Sequence, residues 1–262
     1  IIMTLAHKIL GQITVDSEIL GPVDPRPFVA INSTNDTTDS AAYSTDLITW
    51  TLTTMPGASG NIGSWEAVTY GDGAYAALGY NPASIAHSTD AITWTTVTQP
   101  VNKQFRSVAH GGGKFAAAGW NSSNAIYSTD AISWSQATLP TSANWKSITY
   151  GGGKFVAVSV YSDSAAYSTD AITWTAATLP SSGWWRSVTH GDGKFVAANY
   201  SSSTGDGAAH STDGITWTAA TLSTPANSIT YGNGKFVTNM AYSTDAITWT
   251  PIPTPARGQE SV

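Results

Sequence analysis

Ser168-Thr169-Asp170-Ala171-Ile172-Thr173-Trp174 is one of six nearly identical stretches in this chain of 262 residues. The six copies are Ser44 to Trp50, Ser88 to Trp94, Ser128 to Trp134, Ser168 to Trp174, Ser211 to Trp217 and Ser243 to Trp249. Their tryptophans are 44, 40, 40, 43 and 32 residues apart. This period is typical of repeat proteins in which each unit is one small antiparallel sheet. The sequence therefore predicts six similar sheets, one for each copy.

A second motif precedes five of the six copies and reads apolar residue, Thr or Ala, Tyr or His, Gly. It occurs at Val68–Gly71, Val108–Gly111, Ile148–Gly151, Val188–Gly191 and Ile229–Gly232. In four of the five, the final glycine begins a Gly-x-Gly-Lys-Phe sequence. Glycines at this spacing between two apolar stretches predict a tight hairpin turn.

Each unit is predicted to contain four short strands, because its apolar stretches are rich in β-branched and aromatic residues. In one unit the predicted strands are Lys146–Tyr150, Lys154–Ser159, Ala165–Ser168 and Ile172–Thr178. No window shows the apolar spacing of an amphipathic helix. We therefore predict an all-β fold, a six-bladed β-propeller of four-stranded antiparallel blades.

The first unit departs from the pattern, because Phe28–Ile31 matches a second strand with no second motif before it. Gln12–Val15 is the favoured inner strand for this unit. The alternative is a returning segment at 250–257, where three prolines make a poor strand. The predicted organisation is an N-terminal segment at 1–22, a propeller at 23–250 and a proline-spaced tail at 251–262.

The composition excludes several classes of partner. Charged residues make up 11% of the chain, the net charge is −6, and there is no cysteine. The eleven basic residues are scattered singly, which argues against a nucleic-acid surface. No apolar run approaches the roughly twenty residues of a membrane span, and no signal peptide is visible. We expect no disulfide, no thiolate chemistry and no cofactor.

The Ser-x-Asp-x-x-Thr-Trp motif resembles the Asp-box, the repeat of bacterial neuraminidases, with a middle one residue shorter. The resemblance implies that the motif closes the hairpin between the third and fourth strands of a blade. Independently of it, an Asp carboxylate in a tight turn accepts hydrogen bonds from backbone N–H groups, and a Trp ring fills space between blades. We therefore predict that six aspartates are structural: Asp46, Asp90, Asp130, Asp170, Asp213 and Asp245.

The resemblance implies little about activity, because Asp-boxes occur on enzymes and on other proteins. A sialidase of this family would need three arginines around a carboxylate, whereas two of the four arginines here occupy equivalent repeat positions. Four of the five histidines replace aromatic residues at repeat positions, which predicts packing rather than metal binding. The prediction is a protein without catalytic activity or a metal site. A glycosidase built from Glu66 with Asp163 or Asp206 is the alternative.

The two faces of the predicted ring differ in how much they vary. Both motif turns lie on one face and are nearly constant, whereas the other face carries the loops between strands two and three and the links between blades. Those loops bring aromatic residues at less regular positions than packing would require, and the links bring aromatic and charged pairs to the inner strands. Rings beside single polar groups are typical of sugar sites.

The predicted ligand-binding residues on this variable face are Tyr80, Trp120, Tyr200, Trp145, Trp185, Arg106, Lys146 and Arg186. For the aromatic residues that begin the inner strands, packing in the core or in the channel is the alternative interpretation.

The segment from Met3 to Gln12 is similar to the starts of many tailed-bacteriophage virion proteins, and repeats of this kind are common in phage fibres and adhesins. The resemblance implies that residues 1–22 attach the ring to other virion proteins while the variable face binds a host surface glycan. We therefore predict a lectin-like adhesin displayed on the virion. A structural capsid or tail decoration protein without a ligand is the alternative, an Asp-box glycosidase the third, and homo-oligomerisation stays open.

Overall fold

The computed structural model describes residues 26–31, 41–56, 65–80, 83–200, 207–222 and 224–253. The regular elements in these ranges are β-strands, which confirms the predicted all-β class. These ranges contain no helix long and apolar enough to cross a membrane. The predicted N-terminal segment at 1–22, with its expected strand at Gln12–Val15, lies outside the described residues, as does 254–262.

The strands of the described chain fall into six consecutive units, one for each copy of the Ser-Thr-Asp motif. Unit 1 contains β1 (Phe28–Ile31), β2 (Ala41–Ser44) and β3 (Thr51–Thr53). Unit 2 contains β4 (Trp65–Gly71), β5 (Ala74–Tyr80), β6 (Ala83–Ser88) and β7 (Thr95–Val97). Unit 3 contains β8 (Phe105–Gly111), β9 (Lys114–Gly119), β10 (Ser122–Ser128) and the beginning of β11 (Trp134–Gly151).

The remaining strands belong to units 4, 5 and 6. Unit 4 contains the end of β11, then β12 (Lys154–Ser168) and the beginning of β13 (Thr175–Gly191). Unit 5 contains the end of β13, then β14 (Lys194–Asn199), β15 (Ala208–Ser211) and β16 (Thr218–Ala220). Unit 6 contains β17 (Ile229–Gly232), β18 (Lys235–Thr238), β19 (Ala241–Ser243) and β20 (Thr250–Pro251).

Strands that follow one another in the chain are antiparallel neighbours in the sheets. Units 3 to 5 share one nine-stranded sheet, because β11 and β13 each run from the last strand of one unit into the first strand of the next. The boundaries predicted for the four separate strands of unit 4 are therefore wrong. The links between these units are themselves extended and paired, as at Ser122 with Ala143 and at Val160 with Trp184.

The last strand of unit 4 begins later than predicted, at Thr175 instead of Ile172. The N–H of Ile172 donates to the Asp170 carboxylate at 2.8 Å, which holds this residue in the turn. Its side chain is 44% exposed. The apolar residue of the motif therefore belongs to the turn surface and contributes little to the core.

The core lies between neighbouring units. One cluster joins Leu78 and Ile85 of unit 2 to Phe115 and Trp134 of unit 3, and similar clusters join the pairs that follow. The predicted burial of the motif tryptophan against a neighbouring unit is confirmed for Trp94, Trp134, Trp174 and Trp217. Because each unit covers one face of the next, no unit can bury its apolar face alone.

The glycine of the second motif leaves room for a ring from the following unit. A Cβ atom added at Gly71 would overlap the ring of His110, and one at Gly111 would overlap Tyr150. The same holds for Gly151 with His190 and for Gly191 with Tyr231. Side-chain hydroxyls join the same strands: the N–H of Ile148 donates to Ser107 Oγ at 3.1 Å, with Val188 to Ser147 and Ile229 to Ser187 at the same distance. The first strands of successive units are therefore locked together in a fixed register.

Candidate functional site

The carboxylates of the Ser-Thr-Asp turns are occupied by their own backbone. In unit 4, Asp170 Oδ1 accepts N–H groups from Ile172 and Thr173 at 2.8 Å, and the Ser168 hydroxyl donates to it at 2.9 Å. The same three bonds occur at Asp46, Asp90, Asp130, Asp213 and Asp245. The backbone N–H groups of Thr216 and Ile215 lower the pKa of Asp213 to about 2. These contacts are the ones expected of structural aspartates.

Each inner strand of units 2 to 5 begins with a large aromatic residue followed by a charged one. The aromatic side chains are buried: Trp65, Phe105, Trp145 and Trp185 are 3%, 1%, 1% and 0% exposed. The prediction that Trp145 and Trp185 contact a ligand is therefore wrong. Strand alternation sends these rings into the core, and the Trp185 indole donates to the Ser181 carbonyl at 3.0 Å.

The charged residue that follows lies in a β-bulge. The pairing register shifts between Trp65 and Ala67, between Trp145 and Ser147 and between Trp185 and Ser187, which leaves residues 66, 146 and 186 outside the ladder. Arg106 lies in the corresponding shift between Phe105 and Val108. Bulges re-aim side chains and are frequent beside functional sites. The sequence could not reveal them, because a bulge leaves no change in composition.

Arg106 is held between two of the predicted rings. Its guanidinium carbon lies 3.7 Å from the Tyr80 ring centroid and 4.5 Å from that of Trp120. Its Nη1 lies 3.3 Å from Glu66 Oε1, and both side chains are about 85% covered, at 16% and 15% exposure. We call Glu66, Tyr80, Arg106 and Trp120 the Arg106 cluster. The Glu66 carboxylate balances the guanidinium charge, and the guanidinium covers one face of the Tyr80 ring and one face of the Trp120 ring. The contacts of Arg106 are therefore made within the protein.

Lys146 of unit 4 lies next to the Arg106 cluster, and its positive charge is less well balanced than that of Arg106. Its Nζ lies 3.9 Å from Glu66 Oε2. Burial lowers its pKa below the ordinary 10.5, the Glu66 carboxylate opposes that decrease, and Arg106 and Arg186 add to it. The Glu66 carboxylate thus lies between two cationic side chains, Arg106 and Lys146, and Arg186 is near enough to Lys146 to lower its pKa.

Arg186 lies among rings that are open to solvent. Its guanidinium carbon is 4.4 Å from the Tyr200 centroid and 5.3 Å from that of Trp184, and its Nη1 donates to Asn227 Oδ1 at 2.9 Å. Tyr161 meets Trp184 edge-on, with centroids 5.2 Å apart. Exposure is 58% for Tyr161 and 37% for both Trp184 and Tyr200. We call Tyr161, Trp184, Arg186 and Tyr200 the Arg186 cluster. The guanidinium of Arg186 bonds a neutral amide, whereas that of Arg106 bonds a carboxylate.

Tyr161 has a backbone conformation that residues other than glycine rarely adopt. Its φ is +66°, in the left-handed region, and it occurs where the pairing of β12 with β13 is irregular. Such conformations cost free energy and concentrate at functional sites. The strained turn is what places this ring, 58% exposed, against Trp184.

An open pocket of about 530 Å³ lies beside the Arg106 cluster. Tyr80 and Trp120 form its aromatic part, and its polar part comes from Asn102, Lys103, Gln104 and Asn121, with Ala83 completing the lining. The N–H of Trp120 donates to the Gln104 carbonyl at 2.8 Å, which ties the ring to the link between units 2 and 3. Two rings beside three amides and one amine can stack on a sugar and bond its hydroxyls.

The loop aromatics are more regular than the sequence analysis supposed. Tyr80, Trp120 and Tyr200 each follow the second-strand aromatic by five positions, after Tyr75, Phe115 and Phe195. Valine occupies the same position at 160 in unit 4. The expected irregularity was therefore wrong, and the structure groups each ring with an arginine. Sequence reasoning missed Trp184 and Asn227; the doubled Trp184-Trp185 was the available signal, since only one of two adjacent strand residues can point into the core.

No group of three or more His, Asp or Glu side chains in the described residues is arranged to hold a metal ion. His110 instead lies 4.6 Å from the Phe115 ring, centroid to centroid, and 3.1 Å from Asp72 Oδ2. His190 also packs against a ring, with its centroid 4.6 Å from that of Phe195.

Comparison with solved structures gives many matches of the same fold. Virginiamycin B lyase from Staphylococcus aureus is similar at a TM-score of 0.70 and 13% identity, covering 89% of this chain and 87% of the lyase. The chain has a β-propeller-like fold. YCF48 bound to D1 peptide is similar at a TM-score of 0.63 and 15% identity, covering 92% of this chain and 82% of YCF48. No family model matches the chain, and the search of curated proteins gives no match.

A third similar structure is the GH74 enzyme from Niastella koreensis, with a TM-score of 0.62, 18% identity, and coverage of 92% of this chain and 37% of the enzyme. The prediction that the protein lacks catalytic activity is contradicted by these neighbours, because a lyase and a GH74 enzyme are among them. At these identities the likeness shows the fold alone.

Proposed function

We propose that this protein is a six-bladed β-propeller with Asp-box turns that binds acidic glycans on its variable face. The observation that carries the proposal is the Arg186 cluster, in which the exposed rings of Trp184 and Tyr200 lie beside one arginine and the exposed Tyr161 ring packs against Trp184. The rings stack on the apolar faces of sugars, and Arg186 binds a carboxylate. The pocket of Tyr80 and Trp120 supplies a second, more neutral subsite.

The preference for an acidic ligand follows from the charges on this face. Arg106 is balanced by Glu66, whereas Arg186 donates to the neutral Asn227 and has no carboxylate partner among the residues that the structure describes. Lys146 lies close enough to both arginines for them to lower its pKa. An incoming carboxylate relieves this repulsion, so acidic glycans gain more than neutral ones.

We further propose that the ring is displayed on a virion and contacts the host through this face, with residues 1–22 binding other virion proteins. The support is the similarity of Met3–Gln12 to phage virion proteins together with the repeat motif. Weak individual sugar sites gain strength when many copies act together.

The direct experiment applies the purified full chain to a printed array carrying sialic-acid, uronic-acid and neutral glycans. Arg186→Gln is expected to abolish the preference for acidic glycans, and Trp184→Ala to weaken binding about tenfold, the equivalent of one stacking contact. Ile132→Ala, at an exposed residue of a Ser-Thr-Asp turn, is the matched control and keeps parental binding. Absence of binding to every glycan would favour the decoration protein without a ligand.

Cleavage of a bound glycan is a second candidate, favoured by the GH74 neighbour. The carboxylates offered by the sequence are Glu66, Asp163 and Asp206, of which Asp206 lies outside the described residues. The test uses a glycan that the protein binds on the array. Release of reducing ends from this glycan by the parent, and no release by Glu66→Gln, would establish this activity. Because Glu66 bonds Arg106, Tm of that variant must be measured alongside.

A further inference from the structure

Asn199 is a completely buried polar residue beside the Arg186 cluster. It ends β14 and is 0% exposed, whereas Trp184 and Tyr200, to which it is joined, are each 37% exposed. Its side-chain oxygen accepts the N–H of Trp184 at 2.9 Å. A buried amide that bonds the main chain of another segment holds that segment in one position, because breaking the bond leaves a buried polar atom unpaired.

The main chain of Asn199 holds the other side of the same cluster. Its carbonyl accepts the N–H of Ala226 at 3.3 Å. Ala226 directly precedes Asn227, whose side-chain oxygen accepts the hydrogen bond from Arg186. One buried residue thus bonds both the segment that carries Trp184 and the segment that carries the partner of Arg186.

The residue before Trp184 leaves room for the Asn199 amide. A Cβ atom added at Gly183 would lie 2.4 Å from Asn199 Nδ2 and 2.9 Å from its Oδ1, so one of the two residues would have to move. The φ of Gly183 is not in the left-handed region. This position therefore requires the absence of a side chain rather than the backbone freedom of glycine.

The fold itself does not require an asparagine at this position. Units 2 and 3 have glycine there, as at Gly119, and unit 3 still makes the main-chain bond from Trp120 to Gln104. Unit 4 has Ser159, whose hydroxyl donates to the Ser164 carbonyl of its own unit at 3.0 Å. Packing requirements repeat from unit to unit, whereas this side chain occurs beside the exposed rings of one unit, which points to a role in the site.

We propose that Asn199 is the positioning residue of the Arg186 cluster and holds the main chain of Trp184 so that its ring stays on the surface where a ligand stacks. This inference rests on the proposed glycan binding and adds the residue that keeps the site in its binding form. Because Asn199 is buried, it acts through Trp184 and through the segment at 226–227. Rings held in place before binding lose less freedom when a ligand arrives, so removal of this contact weakens affinity while every ligand-contacting side chain remains.

Two substitutions in the full chain disturb this contact from opposite sides. Asn199→Gly introduces the residue of units 2 and 3, and Gly183→Ala adds the Cβ atom that the Asn199 amide excludes. Each is expected to weaken binding to sialic-acid and uronic-acid oligosaccharides about tenfold. The double variant should bind as Asn199→Gly does, because the added Cβ then meets no side chain at residue 199.

Hydrogen exchange of the Trp184 amide gives a measurement that needs no glycan. The exchange is followed by mass spectrometry with fragmentation to single residues, and it should be about tenfold faster in Asn199→Gly, the equivalent of one lost hydrogen bond. If Asn199→Gly does not fold, Gly183→Ala is used for the same measurement. A rate equal to that of the parent would overturn the proposal.

Asp130→Ala is the control for loss of stability alone, because the bonds that it removes are those to Ile132 and Ser133 in a Ser-Thr-Asp turn. Parental binding by Asn199→Gly, or weakening no greater than that of Asp130→Ala at a similar Tm, would assign Asn199 a structural role only and overturn the proposal. A parent that binds no glycan would instead overturn the proposed function. The exchange rate of the Trp184 amide would then still decide whether Asn199 holds this residue in place.

Discussion

Trp184 and Tyr200 lie nearly parallel, with ring centroids 5.8 Å apart and planes inclined by 19°. Their backbones are joined as well, because the N–H of Tyr200 donates to the Trp184 carbonyl at 3.0 Å. The same bond joins Trp120 to Gln104 in unit 3. Rings fixed by main-chain bonds lose little freedom when a ligand stacks on them, so these positions are well suited to binding.

The first prediction concerns the core between units. Trp134→Ala should lower the free energy of unfolding by about 3–5 kcal/mol, because the ring is 8% exposed and its removal leaves a cavity between units 2 and 3. Urea unfolding monitored by circular dichroism measures this. A loss below about 1 kcal/mol would show that the neighbouring units collapse into the space.

The second prediction concerns the turn bonds of Asp130. Asp130→Ala leaves the N–H groups of Ile132 and Ser133 without their acceptor, and the unfolding free energy should fall by about 1–3 kcal/mol. Glycan binding should be unchanged, because this turn lies apart from both arginine clusters in sequence and contacts. Thr129→Ala, at an exposed neighbour in the same turn, is the control. Lost binding with an unchanged Tm would place function on the turn face.

The third prediction separates the two arginines. Arg106→Gln should destabilise the protein by about 1.5–3 kcal/mol, since it leaves the largely covered Glu66 carboxylate without its closest partner. Arg186→Gln should leave Tm close to the parental value, because its hydrogen bond is to an amide near solvent. Thermal unfolding of the two variants side by side gives the answer. Equal losses would mean that both clusters have the same structural role.

The fourth prediction is a pH dependence carried by the turn aspartates. Backbone N–H groups lower the pKa of Asp213 from 3.8 to about 2, so the folded state favours its ionised form. Its contribution to stability is complete above about pH 4 and is lost as the pH falls through 2. Asp213→Asn should therefore be less stable than the parent at neutral pH, and the difference should close between pH 4 and 2.

The matched measurement for this prediction is Tm against pH for parent and variant. Comparing the two Tm curves removes the separate contribution of His190. Burial lowers the pKa of His190, so its contribution to the stability of the protein is lost as the pH falls below the ordinary histidine pKa of 6.5. A difference that stayed constant down to pH 2 would show that the carboxylate charge is not what stabilises the turn.

Much of the fold could be read from the sequence because the requirements of packing repeat in every unit. The Ser-Thr-Asp turn, the buried tryptophan and the glycine of the second motif all recur at equivalent positions. Strand ends were predicted less well, since Ile172 is apolar yet belongs to the turn, where its N–H bonds Asp170. Propensity alone cannot separate an apolar turn residue from the start of a strand.

The candidate site was predicted only in part. Tyr80, Trp120, Tyr200, Arg106, Lys146 and Arg186 do lie on one set of loops and links, but Trp145 and Trp185 belong to the core. The difference between Arg106 and Arg186 could not be foreseen, because the two occupy the same repeat position. It arises from Glu66 and Asn227, one unit before and one unit after, whose approach depends on the three-dimensional arrangement.

The bulges at Glu66, Arg106, Lys146 and Arg186 place four charged side chains outside the hydrogen-bonded ladder. A residue outside the hydrogen-bonded ladder can be exchanged for one of different charge or size without shifting any strand against its neighbour. Among these four positions, Glu66 and Arg106 are tied to each other, whereas Arg186 bonds only a neutral amide among the described residues. Under the proposed glycan binding, single substitutions at Arg186 would therefore change the preferred ligand while the motif turns and buried rings stay as they are.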